Sequence, residues 1–238
     1  AFATDRTVFA AASSGLWASR DAGATWTRTS HPATAPVRAL ALSPDFATDR
    51  TMLADGYLST DGGQTWTATT GAMDRPWRSV AFSPRFATDR TAWAGTDVVA
   101  RGSENVYGLW TSTDGGASWV PYTKTDLDEM KILSLTAVAV TAAEGVRVFA
   151  GTDVGVFQSA DGGASWRRIS LTGSDPVHDL ASRTLVQPFQ TAVIVGATSR
   201  GPIWSVDRGA TWTRPAGAPQ DVRDVVLGED GRTLRLAG

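Results

Sequence analysis

Apolar and polar residues alternate in short runs along this chain, and no run keeps a helical period for a useful length. Val37 to Leu42 (VRALAL) alternates with period two, the pattern of a half-buried strand. Ser43 to Arg50 then reads as a loop, Thr51 to Ala54 as a second strand and Asp55-Gly56 as a turn. Tyr57 to Ser59 is a third strand and Thr65 to Thr69 a fourth. Named A to D in chain order, these four predict one antiparallel sheet. The other units fit the same template. Trp77 to Phe82, Leu135 to Val140, Val177 to Ser182 and Val222 to Leu227 are A strands. Thr7 to Ala10, Thr91 to Ala94, Val146 to Ala150 and Ala192 to Gly196 are B strands. Leu109 to Thr111, Val156 to Gln158 and Ile203 to Trp204 are C strands. Asp126 to Leu133 is the one segment expected to form a helical turn.

Between C and D one phrase recurs: Ser, any, Asp, any, Gly, any, Thr or Ser, Trp. Its copies span 19–26, 59–66, 112–119, 159–166 and 205–212, with aspartates Asp21, Asp61, Asp114, Asp161 and Asp207 stepped by 40, 53, 47 and 46 residues. Between A and B a second phrase, FATDRT, occurs at Phe2, Phe46 and Phe86. Four short strands per repeat, at this period, are a propeller blade. The glycine lets a tight hairpin adopt positive φ, and the aspartate can bind its own turn's N–H groups. Trp26, Trp66, Trp119, Trp166 and Trp212 then bury on the order of 150–250 Å² each against neighbouring strands. A radial repeat spreads the five aspartates apart, so they are expected to be turn staples, not metal ligands or catalytic acids. In FATDRT the Thr and Asp are expected to fold back on the loop, Phe to pack between blades and Arg to pair at the surface.

The expected fold is therefore all-β: residues 1–238 form a single β-propeller of four-stranded antiparallel blades. Five blades result if the last A strand completes the first blade and closes the ring. Arg232 to Gly238 (RTLRLAG) is then a surplus strand, and the alternative is a fragment of a larger propeller.

The repeated phrase resembles the Asp-box, or bacterial neuraminidase repeat, and all five units carry it. FATDRTVFA followed by GLWASRDAGATW looks most like bacterial repeat proteins of this class. The resemblance implies a β-propeller. That fold is shared by sialidases, tandem-propeller xyloglucanases, sortilin-type receptors and photosystem II assembly factors, so it does not fix an activity. The Arg-Ile-Pro phrase that sialidases carry near the N-terminus is missing. Their Tyr–Glu pair comes from separate blades, whereas Tyr107 and Glu104 lie on one loop. The xyloglucanase site lies between two propellers, and one propeller cannot build it alone. No catalytic residue is carried across.

Composition narrows the partners. The 22 basic and 24 acidic residues leave a formal charge of −2, which argues against a dedicated nucleic-acid binder. Cysteine is absent, which excludes disulfides and thiolate metal sites. No stretch reaches membrane-spanning length, and the first residues lack the pattern of a signal peptide. The only histidines, His31 and His178, fall on different blades, so no His-based metal site or triad is supported. No metal or cofactor is expected.

Strand alternation puts both repeated phrases at one end of the blades, and the variable B–C and D–A loops at the other. Contacts concentrate on variable loops held by a rigid scaffold. The long B–C loop from Thr96 to Gly108 offers Asp97, Arg101, Glu104, Asn105 and Tyr107. The D–A loop from Lys124 to Lys131 offers Asp126, Asp128 and Glu129; it lacks the glycine and distal carboxylate of a full calcium loop. Asp74, Arg75, Trp77, Asp175, His178 and Arg200 belong to the same end. The expected function is a non-enzymatic scaffold that binds a protein or glycan there, extracellular or in the cell envelope, alone or as a subunit of a larger assembly. The alternative is a glycoside hydrolase or carbohydrate-binding propeller.

Overall fold

The computed structural model describes residues 6–32, 36–71, 76–97, 99–101, 104–106, 108–127, 130–140, 145–169, 174–185, 191–228 and 233–238. Strands β1 (Val8–Ala12), β2 (Gly15–Ser19) and β3 (Thr27–Arg28) form the first sheet. The second holds β4 (Leu40–Leu42), β5 (Met52–Ala54), β6 (Tyr57–Ser59) and β7 (Thr67–Ala68). In the third, β8 (Trp77–Phe82) and β9 (Ala92–Thr96) lead through a separate hairpin, β10 (Val99–Arg101) and β11 (Glu104–Val106), to β12 (Leu109–Ser112) and β13 (Val120–Pro121). The fourth holds β14 (Ile132–Ala139), β15 (Val146–Thr152), β16 (Gly155–Ser159) and β17 (Arg167–Arg168). The fifth has β18 (Val177–Leu185), β19 (Thr191–Thr198) and β20 (Ile203–Ser205), extended by a bridge from Trp204 to Thr213. A sixth pairs β21 (Asp224–Leu227) with β22 (Leu234–Ala237). Strand pairing within every one of these sheets is antiparallel.

The apolar layers lie between sheets. Leu53 of the second sheet meets Trp77, Val80, Trp110 and Trp119 of the third, and Trp93 and Leu109 of the third meet Ile132, Val148 and Phe157 of the fourth. A polar ladder ties the A strands together. The Ser79 hydroxyl accepts the Leu135 N–H (2.8 Å), Ser134 accepts that of Leu180 (3.0 Å), and the Asp179 carboxylate accepts that of Val225 (3.2 Å). The third, fourth and fifth blades thus each satisfy a backbone donor of the next.

Three local expectations change. FATDRT is not a plain loop: Phe46–Asp49 and Phe86–Asp89 are single helical turns. Ser43 donates to Asp49 at 2.5 Å and Ser83 to Asp89 at 2.6 Å, while Thr51 and Thr91 donate their N–H groups to the same carboxylates. Arg50 and Arg90 close the turns with positive φ and lie over their own phenylalanine rings, the latter at 4.8 Å. Second, Asp126 to Leu133 divides into a 3-10 turn, Thr125–Leu127, and the start of β14. Third, the closing pair between the last A strand and the first blade is not made among the described residues. Strand β21 takes β22 instead, with Val225 opposite Leu236, because a nearby partner costs far less loop entropy than one about 210 residues away. The surplus stretch therefore forms part of a sixth sheet.

Candidate functional site

The five boxes are spent on their own turns. In the second, Ser59 donates to Asp61 and accepts the Gly63 N–H, while Asp61 accepts from the N–H groups of Gln64 and Thr65 and from the Thr65 hydroxyl (2.6 Å). Burial opposes ionisation of Asp61 and Asp114, but the hydrogen bonds win and hold both carboxyls down to about 2. Asp21 is held at about 2 chiefly by the Thr25 hydroxyl. Trp166 and Trp212 donate their indole N–H to Gly163 and Gly209 of their own boxes, and Trp93 reaches Gly162 of the next blade's box.

At the opposite end, three A strands carry a bulge at the same place. The register slips between Trp77 and Ser79, between Ile132 and Ser134, and between Val177 and Asp179. The extra residues are Arg78, Leu133 and His178. A bulge re-aims its side chain. Arg78 grips Asp97 of the B–C connection through two bonds, Nε to Oδ1 at 3.0 Å and Nη2 to Oδ2 at 2.8 Å, and this pairing holds the guanidinium charged. His178 Nε2 lies 3.3 Å from the Ser199 hydroxyl of the fifth B–C turn. In the second blade, Asp55 takes the N–H groups of Arg38 and Ala39.

Among the described residues, a cluster of three charged side chains stands on this rim in the fifth blade. Asp175 is buried and holds Arg200 Nε at 3.0 Å and Arg214 Nη2 at 3.3 Å. Arg214 is further fixed by the Thr198 hydroxyl and the Gly201 carbonyl. Arg200 remains 75% exposed with its fork set in direction by Asp175, so it can meet an anionic or strongly polar acceptor. The sequence named Asp175 and Arg200 but missed Arg214. That residue follows the D segment, in a stretch with no repeated phrase to mark it.

Several expected contact residues lie elsewhere or are already engaged. Trp77 is buried against Trp119, with ring centroids 5.0 Å apart edge to face, so it serves the core and not the rim. Asp126 accepts the Tyr122 hydroxyl (2.6 Å) and the Trp166 N–H (2.7 Å); it ties the third blade to the fourth, and burial with this bond pushes the Tyr122 phenol up. Arg101, Glu104 and Asn105 sit in the β10–β11 hairpin, where Arg101 pairs with Glu104 and Asn105 with Ala100 in backbone register. Asp74, Arg75, Tyr107, Asp128 and Glu129 lie outside the described residues.

Two clefts, of about 380 and 350 Å³, open between blades on the side of the box hairpins. One is lined by Arg167 to Ile169 and Gly209 to Trp212, the other by Arg85, Asp89, Trp93 and Asp161, and neither contains an expected contact residue. Among the described residues no group of three or more His, Cys, Asp or Glu could hold a metal ion, and no helix is long and apolar enough to cross a membrane.

The hub holds a carboxyl pair that the sequence did not reveal. Burial raises Asp179, and a hydrogen bond with Asp224 raises it further. Asp179→Asn should raise Tm at pH 7, because it removes a buried charge and keeps an acceptor for Val225. A raised carboxyl contributes stability below its unfolded value and loses it as pH rises through the folded one, so the gain should shrink at pH 3. An unchanged Tm at pH 7 would contradict this.

The BNR/Asp-box repeat family matches residues 57–68. Comparison with curated proteins found no match. Among solved structures, an ancestral GH74 enzyme is similar over 90% of this chain at 20% identity and a TM-score of 0.66. The extracellular domain of a one-component-system protein from B. thetaiotaomicron covers 97% of the chain at 12% identity, TM-score 0.63. YCF48 from Cyanidioschyzon merolae covers 90% at 16% identity, TM-score 0.52. The chain spans 30% of the length of the first two and 70% of the third. With five boxes on antiparallel blades, it is a BNR-repeat β-propeller.

Proposed function

We propose that this propeller is a non-enzymatic binding scaffold, presenting protein or glycan contacts from the B–C and D–A rim, outside the cell or in its envelope. One observation carries the reading. The recurring polar residues are consumed by their own turns, whereas Arg78 and Arg200 stand exposed on the variable rim with fixed orientations. The contact set runs from Asp97 through the β10–β11 hairpin, with Arg101, Glu104, Asn105 and Tyr107, to His178, Asp175, Arg200 and Arg214; Asp74, Arg75, Asp128 and Glu129 belong to the same loops. The extracellular domain among the structural neighbours supports the location, and fold likeness to a GH74 enzyme favours glycan among the ligands. A glycoside hydrolase is the second reading, and it requires a carboxyl pair at glycosidase spacing on this rim.

A glycan array and a pulldown should be run on the chain, on a variant lacking residues 98–106, and on Arg200→Ala. The deletion leaves Thr96-Asp97-Tyr107-Gly108, the same two-residue connection as Thr152-Asp153-Val154-Gly155 of the fourth blade, where Thr152 bonds the Gly155 carbonyl at 2.8 Å. It should therefore fold. Binding should fall at least tenfold in both variants at unchanged circular dichroism. Full binding by both would remove the rim from the account, and turnover of a captured glycan would favour the hydrolase.

A further inference from the structure

The B–C turns of the fourth and fifth blades fold alike and display different chemistry. The Thr152 hydroxyl donates to the Gly155 carbonyl at 2.8 Å and accepts the Val154 N–H at 3.1 Å. The Thr198 hydroxyl donates to the Gly201 carbonyl at 2.6 Å and accepts the Arg200 N–H at 3.2 Å. The first turn position is an aspartate in three blades, and each carboxylate turns back toward the start of its own A strand. Asp55 takes the N–H groups of Arg38 and Ala39, Asp97 the Arg78 guanidinium, and Asp153 the Lys131 N–H. In the fifth blade this position is Ser199, whose hydroxyl lies 3.3 Å from His178 Nε2. The next position is Val154 in the fourth blade and Arg200 in the fifth. On one backbone plan, an acid and an apolar residue give way to a hydroxyl and a cation.

Arg200 is also held from beneath. Asp175, 8% exposed, faces Arg200 Nε at 3.0 Å and Arg214 Nη2 at 3.3 Å. A buried carboxylate needs a partner to offset its desolvation. Arg214 fills that role, since it is itself fixed by the Thr198 hydroxyl and the Gly201 carbonyl. Arg200 is 75% exposed, and an ion pair so open to water adds little stability. Two guanidinium groups on one carboxylate leave a net positive charge at the rim.

We propose that this turn is an oxyanion receptor and that its ligand is an acidic glycan, held by a uronate carboxylate or a sulfate ester. Arg200, Ser199 and His178 make the contacts; Asp175 and Arg214 are positioning residues. The inference rests on the rim-scaffold reading above and names the ligand class for it. A guanidinium offers paired N–H donors to an oxyanion, and one already oriented by Asp175 pays less ordering entropy on binding. The Ser199 hydroxyl and the His178 ring add neutral partners for sugar hydroxyls. A protein ligand would call for aromatic or aliphatic anchors. Among the described residues, the exposed large apolar side chains are Trp26, Leu42, Val120, Val206 and Val226, and none of them belongs to a B–C turn.

Titration calorimetry on the chain should use tetragalacturonate, sulfated maltotetraose and neutral maltotetraose. At least one acidic sugar should bind about tenfold or more tighter than the neutral one, and which acid binds assigns the group. Ser199→Asp/Arg200→Val gives the fifth turn the side chains that the fourth already carries. It should weaken the acidic sugar by about tenfold or more at unchanged circular dichroism. Arg200→Gln changes one exposed residue and should show the same loss if the double variant does not fold. Arg200→Lys, which keeps the charge without the fork, should lose affinity too. Equal affinity in the parent and the Arg200 variants overturns the proposal, and so does a parent that binds neither acid. Both results leave the rim reading standing if a protein or neutral glycan is captured and then lost on deleting residues 98–106. Capture that survives that deletion and the Arg200 variants defeats both.

Discussion

Trp119→Ala should cost about 3–5 kcal/mol of stability, the usual penalty for emptying a large aromatic site in a core. Trp26→Ala, the same change in the same motif, should cost about 1 kcal/mol, because a 40% exposed ring has less to lose. Trp119 is 4% exposed, stands edge to face on Trp77, and joins the layer between the second and third sheets. Trp26 keeps an indole bond to Gly23 of its own turn and belongs to none of the buried layers between the described sheets. Urea unfolding at pH 7 measures both values. Equal costs would mean that the box tryptophans act within their own hairpins and not between blades.

Acid should unfold the chain chiefly between pH 4 and pH 2. The box carboxyls of Asp21, Asp61 and Asp114 are held at about 2, and hydrogen bonds outweigh burial to lower those of Asp161 and Asp207 as well. A depressed carboxyl contributes stability above its unfolded value near 3.8 and loses it as pH falls through the folded value. Five such groups therefore act in the same direction over the same window. His31 adds a shallower loss that begins higher. Burial lowers its pKa, so the unfolded chain takes up the proton first once pH drops below 6.5. Asp55 and Asp179 act the other way, since burial raises both. The urea midpoint, followed against pH, should fall most steeply below pH 4. In Asp61→Asn/Asp114→Asn it should start lower and fall less. A double variant that matches the parent's acid limb would show that the staples do not drive the transition.

The units, their strands and the box turns were legible because each is written locally: period-two alternation, a glycine at fixed spacing and an aspartate beside its own turn. Trp77 to Phe82 and Tyr57 to Ser59 coincide with β8 and β6. What escaped depends on partners far along the chain. Ser134 and Asp179 meet across 45 residues, and Asp179 and Asp224 come together only because strands β18 and β21 pack side by side. A bulge has no composition of its own, so Arg78 looked like an ordinary strand residue until the register slipped around it, and nothing in the sequence marked the same slip at His178, although that residue was assigned to the variable end. Trp77 was misplaced for a related reason: it stands at the first position of its strand, next to the rim in sequence, but its ring turns inward onto Trp119. The turns in FATDRT were hidden by their length, since four residues carry no helical period.

Everything functional here rests on the division between a stapled end that holds hairpins and a variable end that makes contacts. Hydrogen–deuterium exchange on the chain, with and without the glycan or protein recovered in the binding screen, tests that division most directly. Protection should appear in residues 97–106 and 174–201 and leave the five box turns unchanged. Protection centred on 19–26, 59–66, 112–119, 159–166 and 205–212 would contradict it.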